Sequence, residues 1–369
     1  MSKSKENTTV VAAMSGGVDS SVAAALLVEA GYRVIGVTMK TYSFDGVGGN
    51  AGKETSCCGL DAMNDARMVA VKLGIPHYVL DFTEQFRGEV IDNFVGEYLR
   101  GRTPNPCVVC NRTIKWGALI QKAEALGADC IATGHYARVR FDEMRGRYVI
   151  SQAKYANKDQ SYALWGLSQY ALGKTIFPLG DLSKPEVRRI AQQLDLKTAA
   201  KPESYEICFV ADDNYERFLK EQVPDLEPSL GGGDIVFGGE VVGKHRGFPF
   251  YTIGQRRGVG AFGDPVYVTG IESETNTIRI GRDSDLMHCG LVASNVNLMT
   301  VESIEAPLRV TAKVRYKDAP TPATVDQDGA EKIRVMFDEP KRAITPGQSV
   351  AMYEGDDLVG GGIIDSVFL

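Results

Sequence analysis

An apolar run, Thr9-Val10-Val11-Ala12-Ala13, stops at Met14-Ser15-Gly16-Gly17-Val18-Asp19-Ser20-Ser21 and gives way to an alanine-rich helical pattern. A strand, a tight turn and a helix in that order commit the start of the chain to an α/β sheet, with the turn at the carboxyl end of the strand. Two successive glycines reach backbone angles closed to other residues and let main-chain N–H groups approach an anion. Ser20, Ser21 and the helix N-terminus add donors and partial positive charge. The turn lacks the lysine of a G-x-x-x-x-G-K-[ST] loop, so a grip on β- and γ-phosphates of that kind is not indicated. A nucleotide is expected here.

The string S-G-G-x-D-S-S resembles the PP-loop of the ATP pyrophosphatases, which split ATP between its α- and β-phosphates and transfer adenylate to an oxygen that later leaves. The segments that follow suit such a domain. Strand patterns at Arg33 to Met39, His77 to Asp81 and Asp129 to Thr133 alternate with helical patterns at Asp61 to Leu73, Phe86 to Leu99 and Thr113 to Leu126. That alternation predicts a doubly wound parallel sheet with ligands at the carboxyl ends of its strands. Ser183-x-x-Glu186 predicts a capped helix start running toward Leu194. After Lys220 the composition turns to Pro224, Pro228 and Gly231-Gly232-Gly233-Asp234 with short β-branched segments, and Leu308 to Tyr316, Ile333 to Phe337 and Ser349 to Tyr353 alternate as strands of a small β-barrel. The expected organisation is a PP-loop domain over residues 1–210, a small central domain over 211–288 and a C-terminal barrel over 289–369.

No apolar run is long enough to span a membrane, and Met1-Ser2-Lys3-Ser4-Lys5-Glu6 lacks the hydrophobic core of a secretory signal; a cytoplasmic location is expected. The net charge of −6 does not by itself suggest a nucleic-acid partner. Local charge does. Val241 to Gly263 contains no acid yet holds Lys244, His245, Arg246, Arg256 and Arg257 among Phe248, Phe250 and Tyr251, and Lys313-Val314-Arg315-Tyr316-Lys317 is a second basic cluster. Cations interleaved with aromatics suit phosphate contact and base stacking, and suit a solvated strand edge equally.

The seven cysteines include Cys57-Cys58 and Cys107-x-x-Cys110, spacings that in a reducing compartment suggest redox chemistry or metal ligation rather than a disulfide framework. In Arg102-Thr103-Pro104-Asn105-Pro106-Cys107-Val108-Val109-Cys110-Asn111 two prolines restrict the backbone and hold the pair in a loop just before a helix, where a thiolate is stabilised. Cys208 stands far away in Ser204-Tyr205-Glu206-Ile207-Cys208-Phe209. No second paired-ligand motif supports zinc. Cys130 reads as buried in its strand, and Cys289 as structural.

Taken together these segments resemble the tRNA-specific 2-thiouridylase (MnmA/TrmU) family over nearly the whole chain. The likeness rests on Met14 to Ser21, Cys57-Cys58 with Leu73-Gly74-Ile75-Pro76-His77-Tyr78, Gly101 to Asn111, Ala132 to Arg138, Lys158 to Tyr162, Ile207-Cys208-Phe209, Gly243 to Gly247, Phe250 to Arg256 and Pro346-Gly347-Gln348. It implies replacement of the C2 oxygen of the wobble uridine by sulfur, with ATP adenylating that oxygen and Mg²⁺ offsetting phosphate charge. By the same resemblance Ala13, Met14, Ser15, Gly16, Gly17, Val18, Asp19, Ser20, Met39 and Gly134 contact ATP. Asn105, Pro106 and Cys107 face the target base, and His135, Lys158, Asp159, Gln160, Arg315, Tyr316 and Gln348 contact tRNA. Cys208 corresponds to the persulfide carrier and Cys110 to the nucleophile, the two ending joined as a disulfide.

Many members have Asp where this chain has Cys107, and that Asp has been given a general acid/base role which a thiol does not inherit. Members with Cys-x-x-Cys resemble sulfurtransferases that hold a [4Fe-4S] cluster on three cysteines, here Cys107, Cys110 and Cys208, so a cluster-bound sulfide rivals the persulfide route. The partners implied are tRNA and an upstream sulfur-carrier or cysteine desulfurase relay protein, with the free protein a monomer. A PP-loop ligase or amidotransferase acting on a small metabolite would share Ser15 to Ser21 but has no use for Cys110 and Cys208. A non-catalytic tRNA-binding protein would bind without regard to ATP.

Overall fold

The computed structural model describes residues 4–42, 60–202, 207–210 and 212–369. Cys57, Cys58 and Ser204 to Glu206 lie outside the described residues. The chain divides into two compact units, one of Met1–Val90, Cys107–Asp213 and Asp356–Leu358, the other of Ile91–Pro106, Asn214–Gly355 and Val359–Leu369.

In the first unit, strands β1 (Thr9–Ala13), β2 (Arg33–Lys40), β3 (His77–Asp81), β4 (Cys130–Ala132), β5 (Ala137–Asp142), β6 (Arg147–Gln152) and β7 (Thr175–Ile176) follow in chain order. Five of them form a parallel sheet in the order β3-β2-β1-β4-β7, and β5 pairs with β6 as an antiparallel hairpin. The chain moves outward from β1 through β2 to β3, then crosses back to β4 on the other side of β1, which makes the β1/β4 boundary the topological switch point.

Helix α1 (Val18–Glu29) buries Val18, Val22, Ala23, Ala24, Ala25 and Leu27 together with Ser20 and Ser21. A helix apolar nearly all round belongs inside a layered core. Its alanines leave room for close neighbours, and Val22, Ala23, Ala24 and Leu27 share one hydrophobic cluster with Val10 and Ala12 of β1, Ala66 and Val69 of α2 (Leu60–Leu73), and Val187 and Ala191. The last two sit on the helix Lys184–Gln193, whose capping box is formed as the sequence predicts, Glu186 Oε2 accepting from the Ser183 N–H at 2.7 Å.

Three sequence expectations shift. The helix expected from Phe86 begins earlier, at Thr83–Phe86, and continues through a π turn at Arg87–Ile91 into Asp92–Leu99. Cys107 and Cys110 do not precede a helix but lie within one, Pro106–Cys110, which passes into a π segment, Asn111–Ala118. Pro106 accounts for this, since proline's fixed φ suits the first helical position and its missing N–H goes unneeded there. Cys130 is half-buried rather than buried, packed against the core cluster.

In the second unit, β8 (Asp234–Phe237), β9 (Glu240–Lys244), β10 (Tyr267–Glu272) and β11 (Thr277–Gly281) form a sheet in the order β10-β11-β8-β9. The remaining strands are β12 (Met287–Leu298), β13 (Leu308–Lys313), β14 (Thr321–Asp328), β15 (Lys332–Arg342), β16 (Ser349–Glu354) and β17 (Asp357–Phe368). They run β12-β15-β14-β13-β16-β17, and β12 pairs with β17 to close a barrel around Leu291, Val310, Val325, Val335, Val350, Met352 and Ile364. Closure removes the edges that an open sheet would expose.

All four histidines of the chain, His77, His135, His245 and His288, are held below the usual imidazole range chiefly by burial, with Arg67 adding to the effect at His77 and Lys115 at His135. A depressed folded-state pKa means that the native state binds fewer protons than the unfolded one. Stability is therefore full above the unfolded value, about 6.5, and falls as pH drops below it. Thermal melts should show a midpoint lower by roughly several degrees at pH 5.5 than at pH 7.5; equal midpoints would contradict neutral burial of these rings.

Candidate active site

The loops at the switch point are Met14–Gly17 after β1 and the turn Thr133–Tyr136 after β4. Met14 is buried, its N–H donating to the Val37 carbonyl at 2.8 Å and its carbonyl accepting from Thr38 Oγ1 at 2.8 Å. Ser20 Oγ accepts from the Ser15 N–H and donates to the Gly17 carbonyl, both at 3.1 Å, which folds the loop over the start of α1. Gly16 has φ of +68°, and a Cβ there would collide with the Ala62 carbonyl. Gly17 caps α1 with no side-chain acceptor, so the first N–H groups of the helix stay available for an anion. Across the loop, a Cβ on Gly134 would stand 2.8 Å from the Ser20 nitrogen. The Thr133–Tyr136 turn thus lies directly against the backbone of the first turn of α1. Ala13 ends β1, Val18 is buried under the loop, and Met39 lies near the end of β2 opposite Leu80.

The motif has no lysine, but distant segments supply two. Lys184, 8% exposed, places Nζ 2.7 and 2.8 Å from the Asp19 carboxylate oxygens, and the Tyr136 hydroxyl donates to the same carboxylate at 2.7 Å. Lys201 Nζ reaches the Gly16 carbonyl at 3.1 Å and Asp65 at 2.8 Å. Burial would push the Asp65 carboxyl up, but hydrogen bonds from Lys201 and Lys197 win and hold it below the usual range. The cradle is thus built on fixed cations. Sequence reading missed both lysines, separated from their partners by 165 and 185 residues. Lys184 carried one signal, because a cation in the first turn of a helix faces the positive end of its dipole unless a carboxylate compensates it.

Cys208 follows Ile207, and its backbone carbonyl accepts from the Tyr42 hydroxyl at 2.7 Å. Tyr42 comes just after β2, so this tie fixes the Cys208 segment at the carboxyl edge of the sheet, while Lys201 ties the segment's approach to Gly16. The next residue, Phe209, packs edge-on against Phe86 with ring centroids 5.7 Å apart. Cys110 is half-buried and Cys107 exposed. Beside Cys110, buried Asn111 donates from Nδ2 to the Ala163 carbonyl at 2.9 Å. Among the described residues no three His, Cys, Asp or Glu side chains gather closely enough to hold a metal ion, so Cys107, Cys110 and Cys208 as arranged do not form a cluster's ligand set.

The residues expected to meet tRNA differ in what they offer. Burial holds the His135 imidazole well below its usual range, and the ring is bonded through Nδ1 to Thr133 Oγ1 at 2.7 Å and packed against Trp116 and Phe177. Asp159 is buried, accepting from the Ala153 and Ser161 N–H groups and the Ser161 hydroxyl at 2.8–3.2 Å, so its carboxylate shapes the loop from within. Lys158 and Gln160 are half-buried on either side of it. In the second unit Arg315 and Tyr316 are exposed. Gln348 donates from Nε2 to the Thr103 and Pro104 carbonyls, both at 3.0 Å, and so steadies the turn leading into Asn105 and Pro106.

Of the two readings left open for the basic stretch, base stacking by its aromatics does not hold. The aromatics of the basic stretch are not a stacking surface: Phe248, Phe250, Tyr251 and His245 are at most 3% exposed and form a core, with the His245 ring bonded to the Asn276 carbonyl and the Gly247 N–H. Arg256 and Arg257 stay exposed, whereas Lys244 and Arg246 pair with Asp234 and Glu216. Pro249 and the sharp turn at Gly247, with φ of +129°, turn this stretch inward.

Residues 8–212 match the family described as "tRNA methyl transferase HUP domain", 216–282 "tRNA methyl transferase PRC-barrel domain" and 288–364 "Aminomethyltransferase beta-barrel domain". The chain is 52% identical over 361 residues to the tRNA-specific 2-thiouridylase MnmA of Salinibacter ruber, covering 97% of this chain and 94% of the relative. It is 50% identical over 363 residues to the protein of the same name from Amoebophilus asiaticus, covering 97% and 96%. To that of Carboxydothermus hydrogenoformans it is 50% identical over 359 residues, covering 96% and 97%.

Proposed function

Because the chain belongs to the tRNA-specific 2-thiouridylase (MnmA) family, and so is a sulfurtransferase that uses ATP to thiolate the wobble uridine of tRNA, we propose a division of labour among its residues. Ala13 to Ser20, with Met39 and Gly134, hold ATP. The bare N–H groups at the start of α1 face its phosphates, and Lys184 and Lys201 fix the loop while lending positive potential. Mg²⁺ would accompany the triphosphate and offset its charge. Asn105, Pro106 and Cys107 meet the target base, which leaves its stack to be reached.

Uracil O2 attacks the α-phosphate, pyrophosphate leaves, and C2 becomes electrophilic. The terminal sulfur of a Cys208 persulfide, loaded by an upstream sulfur-carrier or desulfurase relay protein, bonds to C2 as AMP departs with the former O2. The Cys110 thiolate then attacks Cys208 Sγ. The S–S bond to the transferred sulfur breaks, that sulfur stays on C2 as 2-thiouridine, and Cys110 and Cys208 are left as a disulfide, which an external dithiol reduces for the next cycle. The observation that supports this reading is the Tyr42 bond to the Cys208 carbonyl, which holds the segment bearing that thiol at the carboxyl edge of the sheet, where the PP-loop also lies. Among the described residues no three-cysteine ligand set is assembled, which favours the persulfide route over a cluster.

The test is replacement of Cys107. C107S should retain 2-thiouridine formation within about tenfold of wild type, measured by nucleoside mass spectrometry with a persulfide donor, because Cys107 carries no sulfur. A loss as complete as that of C110S, together with iron in the anaerobically purified protein, would overturn the persulfide route in favour of a cluster.

A further inference from the structure

Tyr136 belongs to two networks at once. Its hydroxyl holds Asp19 in the first turn of α1, with Lys184 Nζ 6.0 Å from its ring centroid and bonded to the same carboxylate. Its backbone is clamped on both sides by Gln160: the Tyr136 N–H donates to Gln160 Oε1 at 2.9 Å, and the Gln160 N–H donates to the Tyr136 carbonyl at 2.9 Å. The chain of bonds continues. The Ala163 N–H donates to the Gln160 carbonyl at 3.1 Å, and the Ala163 carbonyl accepts from Asn111, the neighbour of Cys110. Asp159 locks the same loop internally. With Tyr136 2% exposed and Gly134 flush against Ser20, the loop has little freedom to move without moving the α1 N-terminus.

We propose that Tyr136 is a positioning residue that couples the Lys158–Gln160 loop to the PP-loop, so that RNA bound at the first tightens ATP at the second and ATP tightens RNA equally. The inference rests on the reading above that this loop meets tRNA. RNA that fixes Gln160, side chain and backbone together, keeps both Tyr136 clamps closed and the hydroxyl on Asp19, in the first turn of the helix whose N–H groups receive the phosphates. Reciprocity follows from linkage. Adenylation would then proceed best when the base to be adenylated is present, limiting idle ATP cleavage.

The experiment uses the full chain, α,β-methylene-ATP as the uncleavable nucleotide, and an unmodified transcript of a tRNA with uridine at the wobble position. In wild type, saturating transcript should lower the Kd of the analogue by about tenfold. In Y136F, which keeps the ring and loses the bond to Asp19, that ratio should fall to within about twofold of one, whatever the absolute affinities. Q160A should lose the ratio likewise, and Q160E, which retains an acceptor for the Tyr136 N–H, should recover most of it; should Y136F fail to fold, the Gln160 pair decides. A wild-type ratio near one, or a full ratio in either deleting variant, overturns the coupling. A wild-type protein that thiolates the transcript but shows no ratio refutes only this inference. One that never forms 2-thiouridine refutes the thiolation reading instead.

Discussion

Cys208→Ser should eliminate 2-thiouridine while leaving adenylation intact. A serine hydroxyl cannot carry a sulfane sulfur, so the expected fall in product is on the order of 10⁴-fold or more, the scale seen when a covalent nucleophile is removed. Adenylation uses a different set of atoms, the loop of Met14 to Ser20 and uracil O2, so tRNA-dependent exchange of pyrophosphate into ATP should stay within about threefold of wild type. Cys110→Ser should split differently. Sulfur can still bond to C2 from the Cys208 persulfide, but nothing resolves the linkage, so tRNA should accumulate attached to the protein through a bond that dithiothreitol releases. These two phenotypes separate carrier from resolving thiol, and mass spectrometry of the protein together with the exchange assay reads both. Product formation by either variant at wild-type rate would remove the thiols from the mechanism.

Gly16→Ala should have the complementary effect, failing at adenylation. The residue sits at φ +68° with the Ala62 carbonyl where a Cβ would go. An L-residue there costs about 1–2 kcal/mol in backbone strain alone. The obstruction is backbone rather than a flexible side chain, so the loop and the start of α2 must separate. A displacement of around 1 Å of groups that orient a reacting phosphate is enough to cost roughly 10²-fold in rate. Pyrophosphate exchange and thiolation should therefore fall together by about that factor, with Cys208 still able to accept a persulfide. Persulfide loading is the internal control. Exchange at wild-type rate in G16A would mean that this loop does not cradle the phosphates.

What the sequence made legible is what is encoded locally. The Gly-Gly turn between β1 and α1, the Ser183–Glu186 capping box and the strand–helix alternation each depend on residues a few positions apart, and each stands as the spacing predicts. Pro106 also carries a local signal, a preference for the first helical position, but two prolines so close together suit a restricted loop as well, and the folded chain places Cys107 and Cys110 inside a helix. The electrostatics of the site were not legible, because Lys184 on Asp19, Lys201 on Gly16 and Tyr42 on Cys208 join residues more than 160 positions apart. The basic, aromatic stretch from Lys244 misled for a related reason. Composition records which residues occur together but not which way they point, and Gly247 and Pro249 turn Phe248, Phe250 and Tyr251 into a core.

The central claim is that thiols from two remote segments meet at the nucleotide loop to deliver one sulfur atom. Its most direct test is a single turnover of the persulfide-loaded protein with ATP and unmodified tRNA, quenched in acid with an alkylating agent and digested for peptide mass spectrometry. One Cys110–Cys208 disulfide should appear for each 2-thiouridine formed. Full conversion of the uridine with both cysteines recovered as alkylated thiols would contradict it.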